Sequence, residues 1–310
     1  MSRPPFLVPP AGVRAYPLVT RRGAFAVLDI APAGPPSGTA LLVPGFTGSK
    51  EDFIALLAPL AAAGYRAVAV DGRGQYESAG DLARRSYALG ALAEDVLAQA
   101  EALGAPAVHL VGHSLGGLIS RGAVLRAAAA GRSPFASLTL MASGAGRIAR
   151  GQRWRARALG AGLPVLGQRR LWWVLQPKAE TSELWNFLRG RWLANSPAQL
   201  RSTGRTLRYE PDRVAALAAT GLPVHVLSGE RDLAWPVVEL DVMARRLRAR
   251  RTVIAGAEHS PNAQRPTETA AALADFWAAV GNGPGVAAAE RSEAPAAAES
   301  TEPTGPVEGG

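Results

Sequence analysis

A serine flanked at two residues' distance by glycines, Gly112-His113-Ser114-Leu115-Gly116, follows the apolar run Ala107–Val111 and precedes the helix-like segment Leu118–Ala130. Gly-x-Ser-x-Gly between a strand and a helix is a tight, strained turn, in which only glycine lets the flanking elements approach without a Cβ clash. It lifts the serine oxygen clear of a sheet, beside the first free N–H groups of the helix. Such a hydroxyl becomes a nucleophile only when a base takes its proton.

Four histidines could be that base: His109, His113, His225 and His259. His109 and His225 lie within strand-like runs, where a packed core role is expected. His113 sits inside the elbow and points away from Ser114. His259 instead follows the last strand-like run, in the polar loop Gly256-Ala257-Glu258-His259-Ser260-Pro261-Asn262. That places it at the C-terminal edge of a parallel sheet, where active sites form. A carboxylate must hold its tautomer. Asp232, just past the run Pro223–Leu227, is the preferred acid, with Glu230 as its competitor and a helix N-cap as its other reading. An oxyanion would be held by two backbone N–H groups, from Leu115 in the elbow and from Phe46 in the loop Pro44-Gly45-Phe46-Thr47-Gly48-Ser49.

The elements that must position these groups alternate along the chain. Strand-like runs are expected at Ala24–Ile30, Ala40–Val43, Arg66–Val70, Ala107–Val111, Ser137–Met141, Pro223–Leu227 and Arg251–Ile254, with Val13–Thr20 as an antiparallel edge strand. Helices are expected at Glu51–Ala63, Ser86–Leu103, Leu115–Ala130, Val237–Arg250 and Pro266–Val280. Strands apolar along their whole length, alternating with helices, describe an α/β fold: a mostly parallel sheet covered on both faces.

The alternation breaks once, between about Gly144 and Arg208. This segment holds Trp154, Trp172, Trp173, Trp185 and Trp192, five of the chain's seven tryptophans, and is expected to form a helical cap. The division expected is therefore a core domain of residues 1–143 and 209–281, a cap or lid of 144–208, and a disordered acidic tail of 282–310 rich in Ala, Glu and Pro. Across 310 residues the net charge is +9, but residues 145–210 alone carry 13 Arg and Lys against three Glu. Abundant Ala, Gly and Arg first suggest a GC-rich genome, and with no binding motif the charge does not argue for nucleic acid. No cysteine is present, which excludes disulfides and thiolate chemistry and suits a reducing compartment. The N-terminal apolar run is too short for a signal peptide and no stretch is long enough to span a bilayer, so a cytoplasmic location is expected.

Four segments together resemble the α/β-hydrolase superfamily, in its esterase- and lipase-like serine hydrolase branch: Pro44-Gly45-Phe46-Thr47-Gly48, Asp71-Gly72-Arg73-Gly74, Gly112–Gly116, and the Asp232/His259 pair in the chain order Ser…Asp…His. The resemblance covers about residues 20–280. It implies Ser114 as nucleophile, His259 as base, Asp232 as orienting acid, and Phe46 and Leu115 as oxyanion donors, with no cofactor and no metal. Two departures stand out. Pro44-Gly45 replaces the His-Gly of many relatives, and serine at the nucleophile position argues against the dehalogenase and epoxide-hydrolase branches.

The function expected is hydrolysis of a small-molecule carboxylic ester through an acyl-enzyme. Arg73, Trp172 and Trp235 are the residues expected to touch substrate, although Arg73 reads first as structural. The Gly-Phe-Thr-Gly-Ser loop also resembles the menaquinone-pathway synthase branch, so triad-dependent elimination, thioester or carbon–carbon cleavage is the alternative. A ligand-binding protein that keeps the fold without catalysis is another. Most cap tryptophans are expected to form a small core, one or two to reach the pocket. Peripheral contact with lipid ranks behind these readings.

Overall fold

The computed structural model describes residues 2–176 and 180–281, so the expected acidic tail at 282–310 lies outside the described residues. Eight strands form one sheet: β1 (Arg14–Thr20), β2 (Gly23–Ile30), β3 (Gly38–Val43), β4 (Tyr65–Val70), β5 (Val108–His113), β6 (Phe135–Met141), β7 (Val224–Gly229) and β8 (Arg250–Ile254). Their spatial order is β1-β2-β4-β3-β5-β6-β7-β8. β1 and β2 form a hairpin closed at Thr20 and Gly23, and β2 runs antiparallel to β4. From β4 onward every pairing is parallel. β5 and β7 are buried at every position, as a sheet covered on both faces requires.

Helices α1 (Ile54–Ala62), α2 (Leu89–Ala102), α3 (Leu115–Ala129), α4 (Arg150–Leu175), α5 (Glu183–Ala194), α6 (Pro197–Tyr209), α7 (Val214–Ala218), α8 (Val237–Leu247), α9 (Pro261–Gln264) and α10 (Pro266–Gly281) complete the chain. One face of the sheet buries its apolar side chains with α2, α3 and α8, and the other with α1 and α10. Two expected helices begin later than the pattern suggested. A 3₁₀ turn over Lys50–Phe53 precedes α1, and another over Arg84–Tyr87 precedes α2. β5 extends two residues past Val111, so His113 is its last residue and the strand runs straight into Ser114.

Between β6 and β7 the described residues contain helices and no strand. α4, α5 and α6 share a core of their own, built from Leu159, Leu163, Trp172, Trp185, Trp192 and Leu200. Within the group, Ile148 N–H donates to the Leu207 carbonyl (2.9 Å), and Ala149 N–H ties it to the loop after β7 through the Ala234 carbonyl (2.8 Å). α4 carries Pro164, and Gly167 breaks its helical geometry at φ 69°.

Candidate active site

Ser114 is placed by the turn its neighbours permit. Its backbone adopts φ 54°, ψ −118°, a region L-residues rarely occupy. A Cβ at Gly112 would overlap the backbone of Gly116 and Gly117, and one at Gly116 would overlap the carbonyls of Val43 and Pro44. The elbow is therefore wedged between α3 and the end of β3, and the Ser114 N–H donates to the Met141 carbonyl at 2.9 Å. Held this way, strain of about 1–3 kcal/mol at one residue is sustained by its surroundings.

His259 Nε2 lies 3.0 Å from Ser114 Oγ, and His259 Nδ1 lies 2.8 Å from Asp232 Oδ2. A neutral imidazole donating its Nδ1–H to the carboxylate leaves Nε2 free to accept the serine proton. The Asp232 side chain is fully buried while that of His259 is 35% exposed, so the carboxylate is shielded and the imidazole faces the cavity. The second oxygen of Asp232 accepts from the N–H groups of Ala234 (2.7 Å) and Trp235 (3.1 Å). One oxygen thus orders the loop after β7 and the other holds the histidine; the expected helix N-cap is not formed, since Pro236 occupies that position at the start of α8. Glu230 is exposed and its side chain makes no hydrogen bond among the described residues.

The oxyanion candidates flank the same serine. Leu115 is the first helical residue of α3, where an N–H has no intrahelical acceptor. The Phe46 N–H finds no intramolecular acceptor among the described residues. A Cβ at Gly45 would sit 3.2 Å from Ser114 Cβ, so this loop is in contact with Ser114. Its conformation is held from below by Gln75. Gln75 Nε2 donates to the Gly45 carbonyl at 2.7 Å and its Oε1 accepts from Gly72 N–H at 3.0 Å.

Other buried polar groups brace this edge. His113 Nε2–H donates to the backbone carbonyl of His259 at 2.8 Å, fixing the His259 loop to the elbow. Complete burial, reinforced by His259, pushes His113 down to about 4, so it stays neutral. Arg191 of α5 forms a fully buried ion pair with Asp52 (2.6 Å) and reaches Ser49 Oγ (3.3 Å), linking α5 to the loop after β3. Lys50 sits among Asp71, Glu51 and Glu77 at 3.1, 2.8 and 2.6 Å. Burial opposes its charge, yet the carboxylates outweigh burial and hold its pKa above the ordinary lysine value.

A cavity of about 690 Å³ opens above Ser114, within the range of small-molecule sites. Phe46, Ile148, Leu207 and Leu233 supply apolar wall, with Gln152 and Arg155 of α4 at its edge. The residues expected to touch substrate lie outside this cavity. Arg73 does not line this cavity. Its guanidinium grips Asp95 with two 2.7 Å bonds and donates to the Arg22 carbonyl, which leaves it a structural role. Trp172 is fully buried among the cap helices, edge-on to Trp185 at 5.5 Å. Trp235 lies behind His259, ring to ring at 6.3 Å, with its Nε1–H on the Gly146 carbonyl. None of the five cap tryptophans lines the cavity. His109 and His225 are core residues, bonded to Ser137 and Thr252 respectively.

Sequence reasoning missed Gln75, His113 and the Arg191–Asp52 pair. Only the pairing of a neutral histidine with the elbow offered any signal, and nothing local tied Gln75 to Gly45. Among the described residues there is no cluster of His, Cys, Asp and Glu suited to a metal, and no helix is long and apolar enough to cross a membrane.

Comparison with known proteins bears on the family and the fold. The family model described as "Alpha/beta hydrolase family" matches residues 40–272. Over 87 residues, 28% of this chain, the sequence is 40% identical to a protein of Variovorax paradoxus (strain S110) that carries the name carbamate hydrolase RutD. That match spans 32% of the relative's own length. Among solved structures, an esterase from Thermogutta terrifontis superposes with a TM-score of 0.67 at 22% identity, covering 86% of this chain and 99% of that one. An enol-lactonase from Burkholderia xenovorans LB400 gives 0.70 at 18% identity, covering 86% and 100%. At such identities the structural likeness speaks for the fold.

Proposed function

The chain belongs to the alpha/beta hydrolase family, and from that premise we propose that it hydrolyses a small carboxylic ester through an acyl-enzyme on Ser114. The observation that carries this reading is the unbroken relay of Ser114 Oγ, His259 and Asp232, at 3.0 and 2.8 Å.

Ser114 Oγ attacks the ester carbonyl carbon as its proton passes to His259 Nε2. Buried Asp232 stabilises the imidazolium so formed. The Phe46 and Leu115 N–H groups receive the oxyanion, and losing one such donor typically costs about a hundred-fold or more in turnover. Collapse expels the alkoxide, which takes the proton from His259. Water then attacks the acyl-enzyme, gives its proton to the same nitrogen, and releases the acid and free Ser114. α4 and α6 act as the cap over this chemistry. Ile148 and Leu207 are pinned to each other by the backbone bond between them, giving the acyl group a rigid apolar wall.

Labelling with a fluorophosphonate tests the reading directly. Wild type should be labelled and should turn over short-chain aryl esters, and Ser114→Ala should do neither. Labelling that persists in Ser114→Ala would remove the proposal, and thioester and lactone substrates in the same assay would refine the bond cleaved.

A further inference from the structure

The cap tryptophans divide into two groups. Trp172, Trp185 and Trp192 are buried, whereas Trp173 is 46% exposed and Trp154 is 71% exposed on the outer surface of α4. At 100° per residue, Trp154, Ala158, Ala161 and Val165 share one face, and all four are exposed, Val165 at 78%. The opposite face, with Ala156, Leu159 and Leu163, is the one buried. A helix at the surface normally turns its apolar stripe inward and polar groups outward. This helix has an apolar stripe on both sides.

Charge says what the outer stripe meets. α4 contains Arg150, Arg153, Arg155, Arg157, Arg169 and Arg170 and no acidic residue. None of these arginines forms an ion pair among the described residues. Arg150 and Arg157 flank the exposed stripe on one side and Arg155 on the other. A second copy placed on this face would set unpaired arginines against unpaired arginines. An anionic surface with an apolar interior satisfies both the charges and the stripe, with a tryptophan suited to the boundary.

We propose that the outer face of α4 docks on an anionic lipid surface, with Trp154 and Val165 entering the interfacial layer and the flanking arginines meeting lipid headgroups. The same helix contributes Gln152, from the side opposite this stripe, and Arg155 to the lining of the cavity, so the proposed contact surface and the cavity share one element. The docking goes beyond ester hydrolysis and its binding readout does not depend on Ser114.

Co-sedimentation of the full chain with vesicles is the test, using pure phosphatidylcholine and a phosphatidylcholine–phosphatidylglycerol mixture at low and high sodium chloride. The protein should pellet with the mixed vesicles and be weakened by salt. Arg150→Gln and Arg157→Gln should each lower the partition coefficient about five-fold. Trp154→Ser with Val165→Ser should abolish binding while soluble-ester turnover and the melting temperature stay unchanged, since both side chains are exposed and outside the cavity. Equal binding to neutral vesicles, no binding to anionic ones, unchanged binding by these variants, or preference for a duplex oligonucleotide over anionic vesicles would each overturn the proposal.

Discussion

Gln75 Nε2 donates a 2.7 Å hydrogen bond to the carbonyl of Gly45. That carbonyl and the Phe46 N–H belong to one peptide plane, and in a trans peptide the two groups point in opposite directions. Holding the carbonyl toward Gln75 therefore aims the Phe46 N–H the other way, to the side where the loop touches Ser114. A side chain outside the cavity thereby sets the direction of a backbone N–H in the loop that touches Ser114.

Gln75→Leu should consequently lower kcat by roughly ten- to a hundred-fold, less than outright loss of a donor because the amide remains but wanders. KM for a short ester should change little, since no substrate contact is removed. Steady-state kinetics checks this, and an effect confined to KM would show that Gln75 only shapes the pocket.

Asp232→Asn should reduce kcat by about a thousand- to ten-thousand-fold, because the amide favours the wrong imidazole tautomer. Glu230→Gln should leave turnover intact, its side chain being exposed. Kinetics of the two variants side by side separates the acids. The reverse pattern would transfer the role to Glu230.

Arg191→Leu leaves the Asp52 carboxylate buried without its partner, and should destabilise the protein by about 3–5 kcal/mol. Arg191→Leu combined with Asp52→Leu should recover much of that loss, since the uncompensated charge is then gone. Urea denaturation of the two variants measures the difference.

Stability should fall as pH drops from about 6.5 toward 4. Burial pushes His109 and His113 down to about 4 and His225 to about 3, so below 6.5 the unfolded chain binds protons that the folded chain refuses. Each contributes a slope of about 1.4 kcal/mol per pH unit. Asp71, whose carboxyl is raised chiefly by burial against the pull of Lys50, works in the opposite direction and cancels about one histidine's share. Urea midpoints at pH 7 and pH 5 test the sign, and His109→Gln should flatten the dependence.

The alternation of strands and helices was legible because burial on both faces leaves a local trace: short, wholly apolar runs separated by longer periodic ones. The elbow was legible for a similar reason, as its glycines are demanded by contacts within a few residues of Ser114. The chain order of Ser114, Asp232 and His259, each just past a strand, then sufficed to bring the three forward as candidates. Where the helices of residues 51–63 and 86–103 start was misjudged, because 3₁₀ turns carry the same apolar pattern as the helices they precede.

What the sequence by itself determined is thus the α/β layering, the strained turn at Ser114 and the candidates for base and acid, all written in local spacing and chain order. Only the tertiary structure decided which groups support them. Arg73 was claimed by Asp95, Trp172 by the cap's own core and Trp235 by the back of His259, while Gln75, His113 and Arg191 acquired roles through partners 30, 146 and 139 residues away. Two of those three partners, Gly45 and His259, are met at a backbone carbonyl, a group every residue possesses. A sequence cannot mark it, and only the folded chain selects which one is met.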